Sequence, residues 1–226
     1  MVDKYHADLS KISLSTYAEE IAQAELLPSR MILKQETKQR FRRLGQNGIT
    51  NLDQVLLAMN SPKKISELAA KTGIDEEFLK ILKREVASFQ PKPIQLSEFQ
   101  GINSKIIRKL AAQGIANSQQ LFNLAYTNEG RRELSKKCDV PIEELLELTK
   151  LADVARIRWV GANFARVLVD SQCDTLEKVQ KANYEKLYHE LMTINDEKKY
   201  FKGKFGVNDM KLTVIASRSV PAVAQY

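Results

Sequence analysis

Cysteine is scarce in this chain of 226 residues: Cys138 and Cys173 are the only two, and they stand far apart. That scarcity excludes a disulfide framework and a cysteine zinc site, and it suits a reducing compartment. With only His6 and His189, no His/Cys cluster exists to hold a transition metal. Glycine and proline are also few, and alternation of apolar and polar residues is rare, which argues against a β-rich fold. No apolar run approaches ~20 residues, so no membrane span is expected. The opening Met1-Val2-Asp3-Lys4-Tyr5-His6 carries an acid early and no apolar core, unlike a secretory signal. A cytoplasmic location follows as the expectation. Catalytic signatures are missing as well: there is no Walker loop, nucleophile elbow or HExxH pattern. The acidic pairs Glu76-Glu77 and Glu143-Glu144 fall in the first turns of predicted helices, where the helix dipole favours them. No catalytic residue, metal or cofactor is expected.

What is present is helix and positive charge. The formal net charge is +7, which permits attraction to nucleic acid or an anionic membrane but equally serves solubility. Apolar residues recur at helical spacing almost throughout, which predicts an all-α protein of many short helices. Residues 1–12 read as a loose start. A first helix is expected from Ser15 or Thr16, where Thr16 and Glu19 have capping-box spacing. A second, basic helix is expected from Ser29 to Asn47. Its Arg30, Lys34 and Lys38 would share a face.

The strongest internal signal is a repeat. Leu44, Gly48, Ile49 and Asn51 reappear as Leu110, Gly114, Ile115 and Asn117, an ungapped offset of 66. Glu67-Leu68 matches Glu133-Leu134, and Glu77, Leu79 and Leu82 match Glu143, Leu145 and Leu148. This reads as a tandem duplication. A shorter third copy runs from Leu168 to Val179, with Gln172 in place of the glycine. In each full copy a helix should end at Gly48 or Gly114 in a left-handed turn. Asn51, Asn117 or Asp174 would cap the next helix. Gln90-Pro91-Lys92-Pro93 excludes helix and reads as the linker. The expected organisation is residues 1–28 as a loose start and helix, 29–90 as a first domain, 94–195 as a second with the partial third copy, and 196–226 as a basic loop, a last helix and a frayed end from Ser217.

Two corners carry candidate chemistry. In Ile157-Arg158-Trp159-Val160-Gly161-Ala162-Asn163-Phe164, a helix leads in and another leads out after Gly161. Glycine would allow a sharp reversal at positive φ, and the first amides of the outgoing helix lack intrahelical partners. Such a corner suits an anion. Val160, Gly161, Ala162 and Asn163 are the candidate phosphate seat, with Arg156, Arg158 and Arg166 adding charge. The second corner offers Gly101, Ile102, Asn103 and Ser104, with Lys105, Arg108 and Lys109 behind them. The plain alternative at the Gly161 corner is that the glycine only turns the chain, Trp159 fills the core and the arginines are solvated; at the Gly101 corner it is that Ser104 is a plain helix cap. A further basic stretch, the expected loop from Asp196 to Gly206, mixes lysines with Tyr200, Phe201 and Phe205; its rings either stack on bases or cap a core edge.

The paired helices with short Gly-Ile turns resemble the helix-hairpin-helix superfamily over roughly residues 29–195. More narrowly, Leu27-Pro28-Ser29-Arg30, Gly48-Ile49-Thr50-Asn51-Leu52, Lys83-Arg84-Glu85, Pro91-Lys92-Pro93 and Ala152-Asp153-Val154-Ala155-Arg156-Ile157 resemble an uncharacterised bacterial family of tandem helix-hairpin-helix proteins. The superfamily resemblance implies a grip on DNA phosphates through hairpin amides. DNA-binding hairpins typically have two glycines flanking an apolar residue. Gly101-Ile102-Asn103 keeps the first, Trp159-Val160-Gly161 keeps the second, and Gln35-Glu36-Thr37 keeps neither. Two readings result: a non-enzymatic module that contacts double-stranded DNA without sequence preference, and a protein-interaction scaffold that has kept the fold without DNA binding. A DNA-repair enzyme is a distant third, since neither hairpin glycine is followed by the Pro-Asp of the helix-hairpin-helix glycosylases.

Overall fold

Asn51 and Asn117 show how local chemistry builds this chain. Each sits on extended backbone and turns its side-chain oxygen to the amide three residues on, Gln54 N and Gln120 N, both at 2.9 Å. That bond satisfies one of the donors a helix start leaves open. The structure, a computed structural model, describes residues 4–226. Among the described residues there is no strand, and two isolated bridges, Ser13 with Asn51 and Gln95 with Asn117, are the only β pairing.

The chain divides between Gln90 and Pro91. The N-terminal unit, Asp8–Gln90, holds α1 (Leu14–Gln23), a 3-10 segment (Pro28–Lys34), α2 (Thr37–Gln46), α3 (Leu52–Ala58), α4 (Pro62–Thr72) and α5 (Glu76–Ala87). Its core is Leu33, Phe41, Leu44, Leu52, Phe78 and Leu82. The C-terminal unit runs from Pro91 to Tyr226 and includes Tyr5 from the start of the chain. It holds α6 (Ser104–Ala112), α7 (Ser118–Ala125), α8 (Asn128–Cys138), α9 (Ile142–Val154), α10 (Ala162–Val169), α11 (Leu176–Lys181), α12 (Tyr184–Lys198) and α13 (Val207–Ser217). Leu110, Phe122, Leu148, Leu168 and Leu191 lie at its centre. Burying each such side chain contributes roughly 1.5–3 kcal/mol.

Helices α2 to α5 and α6 to α9 follow one another at the same spacing in sequence. The caps Asn51 and Ser61 correspond to Asn117 and Thr127. Gly48 and Gly114 both turn at positive φ, 83° and 78°. Helix α4 ends on Gly73 at φ 65°, and α8 ends on Asp139 at φ 50°. Even the clasp over that end recurs: Arg43 Nη1 donates to Gly73 O, and Lys109 Nζ donates to Asp139 O.

Several expectations need correction. Helix α1 is capped by Ser13, whose Oγ accepts from Thr16 N at 3.1 Å, rather than by Thr16 itself. Bonds from Leu14 N to Thr50 O and from Leu52 N to Ile12 O pin the preceding backbone as extended, so the helix starts there. The basic helix is not continuous from Ser29. Glu36 at φ 50° breaks it, and Arg30 is buried on Glu85 at 2.9 Å instead of sharing a face with Lys34 and Lys38. Thr175, not Asp174, caps α11; Asp174 is engaged by Lys150 and Lys178.

Both ends of the chain depart from expectation too. The first three positions of the expected loose start lie outside the described residues. Tyr5, however, is 0% exposed, with its hydroxyl on Ser118 Oγ at 2.7 Å. Past Ser217 the chain is held by bonds from Gln225 N to Tyr126 O and from Arg131 Nη2 to Gln225 O. The docking expected of the last helix is through Met210 and Val214, both buried where α13 packs on α11 and α12, whereas Ile215 faces solvent.

Candidate nucleic-acid interface

The two corners lie side by side in the C-terminal unit, and Gln100 joins them. Its Nε2 donates to Asn163 Oδ1 at 2.9 Å and to Tyr200 O at 3.3 Å. One side chain therefore links the turn before α6, the start of α10 and the basic loop after α12. A Cβ placed on Gly101 would stand 3.8 Å from Arg166 Nη1, which brings the same two corners together by a second route.

At the Gly101 corner the glycine has φ 80°, Ile102 is half-buried, and Asn103 caps α6 by accepting from Lys105 N at 2.9 Å. Asn103, rather than Ser104, is thus the cap, and it occupies the Lys105 amide. Ser104, Lys105 and Arg108 are exposed. Neither Lys105 nor Arg108 has an ion-pair partner among the described residues, whereas Lys109 is tied to Asp139 at 2.6 Å.

The Gly161 corner is built differently from its expectation. Gly161 has φ −90° and ψ 175°, ordinary extended backbone. The left-handed residue is Trp159, at φ 72°. Val160 is buried and anchors the turn, while Gly161 is exposed with nothing within 4 Å of where its Cβ would stand. No side chain caps α10. Among the described residues the amides of Ala162, Asn163 and Phe164 meet no acceptor; Ala165 N is the first to bond, to Gly161 O at 2.8 Å. An uncapped helix start concentrates donors and partial positive charge.

The arginines around this corner are mostly committed elsewhere. Arg166 is buried between Glu147 and Asp170 and forms ion pairs with both. Burial alone would lower its pKa, but the two carboxylates outweigh that effect and hold it above the ordinary value. Arg156 is 1% exposed and pairs with Asp153 at 2.6 Å. Arg158 lies over the Trp159 ring, 4.5 Å from its centroid. Arg166 and Arg156 therefore serve the interior rather than a phosphate.

The rings of the basic loop cap a core edge. Phe201 and Phe205 pack against Phe164 of α10 at 5.7 and 5.5 Å. Burial and the nearby Asp170 carboxylate raise the pKa of Tyr200. Lys202 and Lys204 remain exposed on the loop.

Sequence reasoning missed Gln100, because no motif marks it. It also missed the buried polar knot of Asp153, Arg156 and Tyr226. There Asp153 Oδ2 accepts from Leu176 N at 3.1 Å and from Tyr226 OH at 2.8 Å, and Arg156 Nε donates to Tyr5 O at 2.9 Å. Tyr226 is half-exposed as a residue, yet its hydroxyl lies inside; burial, then the Asp153 charge, raises its pKa. The signal that marks the knot is a charged pair three residues apart inside an apolar run.

The described residues contain no group of three or more His, Cys, Asp or Glu placed to hold a metal ion, and no helix is long and apolar enough to cross a membrane. No curated protein and no solved structure matches the chain. A family model does: residues 100–204, from Gln100 through both corners to Lys204 of the basic loop, match a family described as "Domain of unknown function (DUF4332)".

Proposed function

We propose that this protein is a non-enzymatic nucleic-acid-binding module. In this reading, tandem helix-hairpin-helix units, descended from a duplication of the α2–α5 pattern, grip the phosphates of double-stranded DNA without reading sequence. The observation that carries it is the uncapped start of α10: three successive amides without an acceptor, beside an exposed Gly161. A phosphate oxygen is the acceptor such a place suits. Lys105 and Arg108, without a carboxylate partner among the described residues, supply charge on the adjoining α6. Contacts of this kind position a backbone and carry no base information.

The test is affinity for a random-sequence duplex, measured by anisotropy at two salt concentrations. Each phosphate neutralised adds about −0.9 to the slope of log K against log salt. The double variant Lys105→Glu, Arg108→Glu should weaken binding for all duplexes alike and flatten that slope.

A second reading rests on the internal ion pairs of Arg156 and Arg166. They withdraw two cations from the corner, as expected of a protein-interaction scaffold that has kept the fold alone. Absence of duplex binding at low salt would leave that reading standing.

A further inference from the structure

Trp159 is the only tryptophan of the chain, and it stands where a glycine stands at the other corner. The two turns run in parallel. Gly101 at φ 80° precedes half-buried Ile102 and the cap Asn103, while Trp159 at φ 72° precedes buried Val160 and the cap position Gly161. A bulky residue at positive φ is an outlier that persists only when its surroundings enforce it. Packing does not explain this one, because the ring is 46% exposed. Arg158 covers one ring face, which orients the indole and leaves its outward surface to solvent. The strained turn thus spends its one left-handed position on presenting an aromatic surface outward.

We propose that Trp159 stacks on an unpaired base. The preferred partner is then DNA with a single-stranded segment beside the gripped phosphate, rather than an intact duplex. The proposal rests on the nucleic-acid reading above, but it stands on the ring and not on the α10 amides. The surroundings favour a base over a protein side chain. A protein hot spot is normally ringed by other contacts that exclude water, whereas here Val160 beside the ring is buried and the surface next to it is Arg158 and the bare, exposed Gly161. The loop packed on Phe164 carries exposed Lys202 and Lys204, neither with a carboxylate partner among the described residues. An exposed ring among cations is the arrangement that holds single strands, since every base offers a π-face.

The indole reports on itself. The full chain is titrated at low salt with a labelled blunt duplex and with the same duplex bearing a single-stranded thymidine overhang, following label anisotropy and Trp159 emission together. The overhang should quench the emission, and the blunt duplex should not. Affinity for the overhang duplex should be about ten-fold the higher, within the usual worth of one base–aromatic stack. Trp159→Ala should abolish that preference while leaving blunt-duplex affinity unchanged, and Trp159→Phe should keep most of it. Emission unchanged on saturating the overhang duplex, or a preference that survives in Trp159→Ala, would overturn the stacking proposal alone. No anisotropy change with either duplex would overturn the nucleic-acid reading as well. The emission measurement needs no variant, so it decides the matter even if the alanine variant does not fold.

Discussion

Individual arginines show why a count of charges misleads. By sequence, Arg156, Arg158 and Arg166 are equivalent neighbours of one turn; by structure, Arg156 and Arg166 are interior cations held by carboxylates. Removing one member of such a pair strands the other. Arg156→Met should therefore destabilise the protein by about 3–5 kcal/mol, because Asp153 would be left charged and buried. Urea denaturation checks this, and adding Asp153→Asn, which removes the charge and keeps an acceptor for Leu176 N and Tyr226 OH, should recover part of the loss. A double variant as unstable as the single one would mean that packing, not charge, is what Arg156 provides. Asp174 makes the pH argument. Burial alone would raise its carboxyl, but hydrogen bonds from Lys150 and Lys178 outweigh that and hold it below its ordinary value. A depressed folded value means that its contribution is fully present above the unfolded pKa of ~3.9 and is lost as pH falls through the folded value. Wild-type stability should thus fall more steeply below pH ~4 than that of Asp174→Asn. Parallel curves in urea midpoint against pH would show that Asp174 contributes nothing of the kind.

Helices and turns were legible wherever their causes are local. Asn51 and Asn117 cap helices through their own side chains, and Gly48 and Gly114 end them through their own backbone freedom, so nearby residues were enough to place them. Ser13 was not legible, because what fixes it is Thr50 and Leu52, nearly forty residues away. Gly161 was misread for a related reason. A glycine at a corner suggests positive φ, yet Trp159 takes that conformation and Gly161 is left extended. The difference has a consequence. Gly161→Ser should fit, since nothing lies within 4 Å of the new Cβ, and serine is a favoured cap. It should stabilise α10 by a few tenths of a kcal/mol at about the usual difference between serine and glycine caps. It should also weaken duplex binding, because its hydroxyl occupies an amide that a phosphate would otherwise take. Gly101→Ser, at φ 80°, should instead cost roughly 1 kcal/mol or more. Thermal melts and duplex anisotropy on the two variants separate the effects. Tighter duplex binding by Gly161→Ser would remove the α10 amides from the mechanism.

At the scale of the whole chain, the sequence order of the parts is not their order in space. Residues expected to form a loose arm supply Tyr5 to the core of the C-terminal unit, where its ring meets Phe122 at 5.8 Å and its carbonyl receives Arg156 Nε. The last residues return to the same knot through Tyr226 and Asp153. Periodicity cannot reveal such closures, because a short segment without helical repeat looks the same whether solvated or docked. Trp159 sits in this unit and reports its unfolding. Tyr5→Ala removes an aromatic side chain from a filled interior and leaves Ser118 without its hydroxyl partner. Truncations of this size cost about 3–5 kcal/mol when the cavity does not collapse. The urea midpoint followed by Trp159 emission should accordingly fall well below that of the wild type. Tyr5→Phe, which keeps the ring and loses the bond to Ser118, should shift it by about 1 kcal/mol. An unchanged midpoint in Tyr5→Ala would return the start of the chain to the loose arm that its sequence suggests, and the knot at Asp153 would then owe nothing to it.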